Sequence, residues 1–230
     1  MRLPRHIQPY GPSALLVQWE TRIDDRINKS VHAYARRLRT QTGVAECVPA
    51  YASLLVRFAP KTTTAYRLRE LIFDLPLPQP AEAKGYRHEL PVCYHPDLAP
   101  DLENVARTLN ISPEQVIDLH TGRDYRVYQL GFCPGFGFLG ETDAALNVDR
   151  HATPRKSVPA GAVGLAGRQT GIYPTDSPGG WQLIGRCPVP LLQPGDDLTR
   201  LRAGDTVRFT PITLDAFHQL TPNDFPWPVR

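Results

Sequence analysis

The chain has 230 residues, of which 41% are hydrophobic, and its formal net charge is +3 at pH 7. This composition predicts a soluble globular protein with one large domain or two modest ones. The first residues, MRLPRHIQPYGPS, lack the apolar core of a signal peptide, and no apolar run is long enough to span a membrane, so we expect a cytoplasmic protein. The four cysteines contain no C-x-x-C pair, which argues against a zinc ribbon or a thioredoxin-type motif and favours reduced thiols.

The two halves of the chain differ in composition. Residues 1–84 hold 2 of the 17 glycines and have 13 basic and 7 acidic residues, a net charge of +6, whereas residues 85–230 have 13 basic and 16 acidic residues, a net charge of −3. Between them, LPLPQPAEAKGYR (Leu75 to Arg87) alternates proline with small and polar residues, as linkers do. We therefore predict domains at 1–82 and 83–230, with the boundary near Ala81 to Gly85.

The first half alternates strand and helix patterns, which predicts an α/β sandwich with helices on one side of a sheet. Apolar residues recur at helical spacing between Ile27 and Leu38 and again between Leu68 and Leu75. Asp24 or Asp25 can cap the first helix, which Gly43 is expected to end. The remaining expected features are strands at Ala14–Trp19, Val44–Val48 and Leu54–Phe58 and a second helix opened by Thr62 or Thr63.

A helical pair is predicted over residues 100–121, after a strand at His88–Tyr94. Asn110 breaks the first helix, and Ser112 with Gln115 forms a capping box for the second. The pair resembles a DNA-reading helix-turn-helix, but its second helix presents acidic side chains and this half of the chain is acidic. The arginines of the first half, around Arg36, have no aromatic or lysine-rich interleaving, so we expect a solvated face and no nucleic-acid partner.

The next segment, GFCPGFGFLG, contains a G-x-G-x-x-G pattern at Gly135, Gly137 and Gly140, directly after a predicted strand at Arg126–Gly131. In a dinucleotide-binding protein a helix would begin here, but the following residues, ETDAALNVDRHATPR, are short of apolar residues and end at proline. We interpret the match as coincidental. The chain also lacks a Walker-type G-x-x-x-x-G-K-[ST] motif.

From Pro159 onward, short strands alternate with glycine- and proline-rich turns, which predicts a closed or sandwiched β body. Within it, QTGIYPTDSPGG places an amide and several hydroxyl groups on a rigid, turn-rich loop, where ligands are often held. For any one residue of this loop, a purely structural role explains the sequence at least as well as ligand binding. In that alternative Tyr173 and Trp181 pack in the core and the glycines only make turns.

Two other kinds of site are weakly indicated. A serine hydrolase would use Ser177, Asp176 and either His120 or His151, but Ser177 lacks the G-x-S-x-G turn that exposes a nucleophile. The other is a metal site formed by His88, Cys93 and His95. The first two of these residues have opposite parity on a strand and would point to opposite faces.

Several long motifs together resemble the PxpB/KipI family, also described as allophanate hydrolase subunit 1, whose members are similar to part of the carboxyltransferase domain of urea carboxylase. The resemblance covers residues 85–211, and the first half fits the family in length and order. The motifs are ELPVCY (89–94), PDLENVA (100–106), VIDLHT (116–121), YQLGFCPGFGFLG (128–140), ATPRKSVPAGAVGLAGRQTGIYP (152–174) and SPGGWQLIGR (177–186).

The resemblance implies an α+β protein with an N-terminal α/β domain and a C-terminal cyclophilin-like β-barrel that carries the helical pair. It also implies a subunit of an ATP-dependent 5-oxoprolinase, which opens 5-oxo-L-proline to L-glutamate with PxpC-like and PxpA-like partners. ATP and Mg²⁺ would then be bound in the complex with those partners. Other members are described as inhibitors of a histidine kinase, and a carboxyltransferase or allophanate-hydrolase component is a further alternative.

Opening a stable amide with a phosphoryl donor requires groups that stabilise negative charge. Arg155, in the TPR motif, is the best cation for this role, and His120 could shuttle a proton, although a structural hydrogen bond is equally consistent with its place at a helix end. The candidate substrate-binding residues are Gln169, Thr170, Tyr173, Ser177, Gly179 and Gly180. The chain departs from the family pattern GFxPGFPYL at Gly137 and Phe138, so we expect a looser loop here than in other members.

Overall fold

The computed structural model describes residues 3–75, 85–195, 198–220 and 225–227. Contacts between Cα atoms divide the chain into two units, Met1–Ala83 and Lys84–Arg230. The predicted boundary between residues 82 and 83, and most of the predicted linker, lie outside the described residues. None of the helices formed by the described residues is long and apolar enough to cross a lipid bilayer.

The N-terminal unit is a four-stranded antiparallel sheet with two helices. The strands lie in the order β1-β2-β4-β3. Alternate residues of the central strands, such as Leu15, Val17, Leu54 and Val56, share one core with the apolar faces of both helices. Its elements are β1 (His6–Pro9), β2 (Ala14–Gln18), α1 (Asp25–Arg39), β3 (Val44–Pro49), β4 (Ser53–Phe58) and α2 (Ala65–Asp74).

The helix ends of this unit correct two predictions. Asp24 caps α1 as expected, but the helix ends at Arg39, and Gly43 lies beyond it with a φ of +88°, in the turn that leads into β3. The cap of α2 is Thr64 rather than Thr62 or Thr63. Both predicted threonines donate their backbone N–H groups to the carbonyl of Ala59, so they belong to the preceding turn.

The C-terminal unit is a closed seven-stranded barrel, which confirms the predicted α+β fold class. Around the barrel the strands follow the order β10-β7-β6-β13-β5-β12-β9, and β11 pairs with β8 outside it. Its strands are β5 (Arg87–Cys93), β6 (Asp124–Leu130), β7 (Gly137–Gly140), β8 (Arg155–Val158), β9 (Ala162–Ala166), β10 (Gln169–Ile172), β11 (Ser177–Gly179), β12 (Gln182–Arg186) and β13 (Thr206–Ile212). Its helices are α3 (Leu102–Leu109), α4 (Pro113–Thr121) and α5 (Leu214–Gln219), with a 3-10 turn at Ala144–Leu146.

The predicted helical pair is present as α3 and α4. Asn110 ends α3 in the left-handed region, with a φ of 55°, and Ser112 and Gln115 form the predicted capping box at the start of α4. The two helices pack on the barrel, α3 against β12 and α4 against β13.

The G-x-G-x-x-G segment forms a strand. Gly137 and Gly140 are the ends of β7, at the place where a dinucleotide-binding fold would begin its helix. This confirms that the match to the dinucleotide pattern is coincidental. Barrel closure itself is made by β5 and β13, which pair in parallel from Arg87↔Thr206 to Cys93↔Ile212.

Candidate functional site

Asp101 is the centre of a partly buried group of polar residues that we call the Asp101 cluster: Asp101, His151, Arg155 and the backbone of Leu183. One carboxylate oxygen of Asp101 accepts a hydrogen bond from Arg155 Nη2 at 2.6 Å. The other oxygen accepts one from the N–H of Leu183 at 2.6 Å and lies 3.2 Å from His151 Nε2. The side chain of Asp101 is 8% exposed and that of Arg155 is 30% exposed, so the ion pair lies at the edge of the protein interior.

Asp101 is ionised in this cluster. Burial by itself would raise the pKa of its carboxyl group, but the hydrogen bonds from Arg155, Leu183 and His151 outweigh burial and lower that pKa. A charge-assisted hydrogen bond of this kind is strong because donor and acceptor are both ionised and both are partly shielded from solvent. The carboxylate therefore fixes the guanidinium of Arg155 in one orientation.

The cluster is assembled from three separate parts of the chain. Asp101 precedes α3 but does not cap it through its side chain, and its backbone N–H binds the carbonyl of Leu183 on β12. The backbone N–H of His151 donates a hydrogen bond to the carbonyl of Gly180, which holds this residue in place. Arg155 begins β8, where it lies opposite Gly179 of β11. Strand pairing and one helix start thus bring the three side chains together.

The cluster leaves hydrogen-bonding capacity unused. Arg155 Nη1 is buried and has no hydrogen-bond partner among the described residues, and the same is true of Gln182 Oε1. Gln182 uses its other side-chain atom, Nε2, to bind the carbonyl of Asp149 at 2.9 Å. The guanidinium of Arg150 lies over the ring of Trp181 at 5.9 Å. An unpaired, oriented guanidinium N–H suits an anionic oxygen such as that of a carboxylate or a phosphoryl group.

Tyr173 lies against the same group. Burial raises the pKa of its hydroxyl, and the N–H of Trp181 with the charges of Arg150 and Arg155 offset only part of that rise. The hydroxyl stays protonated and lies so near Gly179 that a Cβ there would be 2.4 Å from the oxygen, whereas a Cβ at Gly180 would have no neighbour closer than 3.6 Å. Gly179 therefore permits the approach of Tyr173.

Ser177 and Asp176 do not form a catalytic serine site with a histidine. Ser177 Oγ is buried without a hydrogen-bond partner among the described residues. Asp176 accepts a hydrogen bond from the N–H of Ala160 at 2.7 Å, while the ring of His151 binds Asp101. The serine hydrolase hypothesis is therefore not supported by the geometry.

His120 lies apart from the Asp101 cluster, in the barrel core. Its ring is fully buried, with the hydroxyl of Tyr94 at 2.8 Å from Nδ1 and that of Thr170 at 2.9 Å from Nε2. It stacks on Phe209 at 4.5 Å, and the hydroxyl of Tyr125 binds its backbone carbonyl. We call these five residues the His120 cluster. They form a neutral, internally satisfied group in the core.

Burial lowers the pKa of His120 to about 3, so the ring stays neutral at physiological pH. This placement argues against the predicted proton shuttle, because the ring has neither access to solvent nor a charged partner. Thr170 is occupied by the same histidine. Gln169 pairs through its backbone with Gly140 and Ala166 of the barrel wall. The predicted site residues therefore separate into two groups.

Sequence reasoning missed Asp101, which organises the site. A lone Asp before a helix is typical of an N-cap, and nothing local distinguishes this one, whose partner Arg155 is 54 residues away. The described residues contain no group of three His, Cys, Asp or Glu side chains that could hold a metal ion. Both oxygens of Asp101 are engaged by nitrogen donors, so the cluster does not fit Mg²⁺.

The chain is similar to several known proteins. The family model described as carboxyltransferase domain, subdomain C and D, matches residues 5–201. A curated protein of Bacillus subtilis (strain 168), the B subunit of 5-oxoprolinase, is 40% identical over an alignment of 239 positions that covers 95% of this chain and 97% of that protein.

Solved structures share the fold. The crystal structure of TTHA0988 superposes with a TM-score of 0.77 at 39% identity over 86% of this chain, and this chain spans 39% of the length of that one. The K. lactis urea amidolyase superposes with a TM-score of 0.71 at 20% identity, covering 92% of this chain and 15% of that enzyme. The latter likeness concerns the fold alone.

Proposed function

Because this chain belongs to the family of carboxyltransferase subdomain C and D proteins, together with the 5-oxoprolinase B subunits, we propose that it is a subunit of an ATP-dependent 5-oxoprolinase. The complex would convert 5-oxo-L-proline to L-glutamate with hydrolysis of ATP, and this chain would be inactive without PxpA-like and PxpC-like partners. The observation that carries the proposal is the 40% identity to a 5-oxoprolinase component over nearly the full length of both chains.

The Asp101 cluster gives this chain a chemical role in that reaction. Ring opening breaks the amide C–N bond and adds the oxygen of water to the carbonyl carbon, and ATP hydrolysis supplies the driving force. Negative charge develops on oxygen during such a step, and an oriented guanidinium in a partly desolvated site stabilises it. We assign this task to Arg155, whose side chain lies at the edge of the protein interior and is 30% exposed. Asp101 positions it.

Other residues of the site would orient the substrate. Tyr173, protonated at neutral pH, can donate a hydrogen bond, and Ser177 has an unpartnered hydroxyl. Gly179 and Gly180 follow Ser177, and Gly179 permits the close approach of Tyr173. Thr170 and Gln169 belong to the barrel wall, so a direct contact with substrate would require an approach from the barrel side. Because the chain has no Walker-type motif, we expect the nucleotide and its metal ion to be bound chiefly by the partner subunits.

A reconstitution experiment tests the proposal. The chain is mixed with its PxpA-like and PxpC-like partners, each component is omitted in turn, and glutamate and ADP formed from 5-oxoproline and ATP are measured. We expect the two products to appear in equal amounts only when all three components are present. Unchanged glutamate formation without this chain would refute its role in the complex.

A further inference from the structure

A cavity of about 380 Å³ opens on the C-terminal unit, between α5 and the segment that follows β12. Cavities that hold small metabolites are of this size. Tyr173 lines the cavity, and its hydroxyl approaches Gly179, which lies opposite Arg155 of the Asp101 cluster. Tyr173 therefore connects the cavity with the neighbourhood of the cluster, although none of the cluster residues lines the cavity.

Among the described residues that line the cavity, the charged and basic side chains have one sign. Arg186 and His218 are the ionisable basic side chains that line it, and none of the described residues that line it is an Asp or Glu. Asp176 is near, but its carboxylate accepts a hydrogen bond from the N–H of Ala160 and does not line the cavity. A one-signed, concave surface concentrates ions of the opposite charge. The cavity is therefore suited to an anion.

Arg186 is held in place while most of its hydrogen-bonding capacity stays available. It ends β12, where its backbone pairs with Ala162 and Cys93, and its Nε donates to the carbonyl of Ala160 at 2.9 Å. Its guanidinium forms no ion pair with any carboxylate of the described residues. A guanidinium fixed through Nε and open at its outer N–H groups matches the two oxygens of a carboxylate.

Apart from Arg186, His218 and Tyr173, the described side chains of the lining are apolar and poor in donors. Pro188 and Pro190 have no backbone N–H, and Val189, Leu191 and Phe217 add aliphatic and aromatic surface. Arg186 must therefore supply the main charge-assisted hydrogen bonds to a bound anion. One guanidinium with apolar walls fits a singly charged ligand that has a compact apolar body, and it fits a strongly hydrated triphosphate poorly.

We infer that this cavity binds a small organic carboxylate with a compact apolar body, through the guanidinium of Arg186. The choice of 5-oxoproline as the ligand rests on the proposed function, because that compound is a five-membered lactam ring with a single carboxylate. The ligand ring lies against Tyr173 and Phe217, and Tyr173 is the residue of the candidate site that also lines this cavity.

Calorimetric titration of the full chain tests the inference. The probes are 5-oxoproline, its carboxamide, which keeps the ring but lacks the charge, and inorganic phosphate. The variants are Arg186→Gln and, as a matched control, Arg208→Gln, an arginine on barrel strand β13 whose side chain is 36% exposed and lies 3.6 Å from Asp124. We expect 5-oxoproline to bind the wild type and the control alike, and to bind Arg186→Gln about 10- to 100-fold more weakly, since a charge-assisted hydrogen bond is lost.

Further outcomes decide between explanations. If Arg186→Gln does not fold, Phe217→Ala serves instead, because no residue of α5 is buried, and binding should weaken about tenfold through lost apolar contact. Equal binding of the carboxamide, or phosphate binding as tight as that of 5-oxoproline, would overturn the assignment of a carboxylate ligand. If the chain binds no 5-oxoproline yet is required for glutamate formation, the inference fails and the proposed function stands. If binding depends on Arg186 but glutamate formation does not need the chain, the inference stands and the proposed function fails.

Discussion

The Asp101 cluster and the His120 cluster contain similar side chains but differ in burial and in how many of their hydrogen-bonding groups have partners. Each contains a histidine that contacts an oxygen from a distant part of the chain. In the Asp101 cluster an ionised carboxylate faces a guanidinium at the protein edge, and one N–H of that guanidinium has no partner among the described residues. In the His120 cluster the imidazole is neutral, fully buried and bonded at both nitrogens. Burial and unused hydrogen bonds, rather than residue type, separate a candidate site from a structural core.

The sharpest test of this contrast is Arg155→Gln, which removes the charge that Asp101 orients. We expect kcat of the reconstituted enzyme to fall about 100- to 1000-fold, because one oriented donor to a developing negative charge is lost. The matched control is Arg168→Gln, which removes a surface arginine paired with Glu141 and should leave kcat unchanged. Both melting temperatures are measured alongside. A wild-type kcat for Arg155→Gln would remove the Asp101 cluster from the reaction.

The next largest effect concerns the His120 cluster. His120→Ala leaves a cavity beside Phe209 and two buried hydroxyls without a partner, so we expect the free energy of unfolding to fall by about 3 kcal/mol. His95→Ala, at a histidine whose side chain is 44% exposed, is the control and should change little. Denaturant unfolding measures both. The folded His120→Ala enzyme should keep the wild-type kcat, and a large loss of kcat at unchanged stability would instead support the proton shuttle.

The smallest expected effect is the pH dependence of the difference in unfolding free energy between the wild type and His120→Ala. The unfolded imidazole gains a proton as the pH falls below 6.5, whereas folded His120 stays neutral until about pH 3. Its contribution to stability is therefore complete above pH 6.5 and is lost as the pH falls toward 3, by about 1.4 kcal/mol for each pH unit. The stability difference between wild type and His120→Ala should shrink between pH 7 and pH 4.5. A difference that stays constant would show that His120 titrates alike in both states.

Much of the fold could be predicted because its signals are local. The capping box of α4 involves only Ser112 and Gln115, which are three residues apart. The glycine- and proline-rich turns after Pro159 indicate short strands. The cap of α2 was harder, since three consecutive threonines are chemically equivalent and only the turn at Ala59 assigns the role to Thr64. The local sequence thus identifies the candidate cap residues, and hydrogen bonds in the folded structure determine which of them caps the helix.

The candidate site was predicted only in part. Arg155 and Tyr173, both predicted as site residues, share a neighbour: Arg155 lies opposite Gly179 in the pairing of β8 with β11, and the Tyr173 hydroxyl approaches Gly179. His120 and Thr170 also contact each other, but inside the barrel, and sequence alone does not show which face of a strand is enclosed when a sheet closes. The cavity at Arg186 had no sequence signal, since its walls come from segments far apart in the chain.

The parallel pairing of β5 with β13 has a consequence for synthesis on the ribosome. The N–H of Tyr86 and the carboxylate of Asp205, which bind each other at the start of this pair, are 119 residues apart. At cellular translation rates that interval takes on the order of 10 s, during which the edge of β5 that pairs with β13 has no partner strand, and its other edge has none until β12 is made. Exposed strand edges invite pairing with other chains. The N-terminal unit can therefore fold early during translation, whereas the barrel depends on protection of a nascent edge until its last strand arrives.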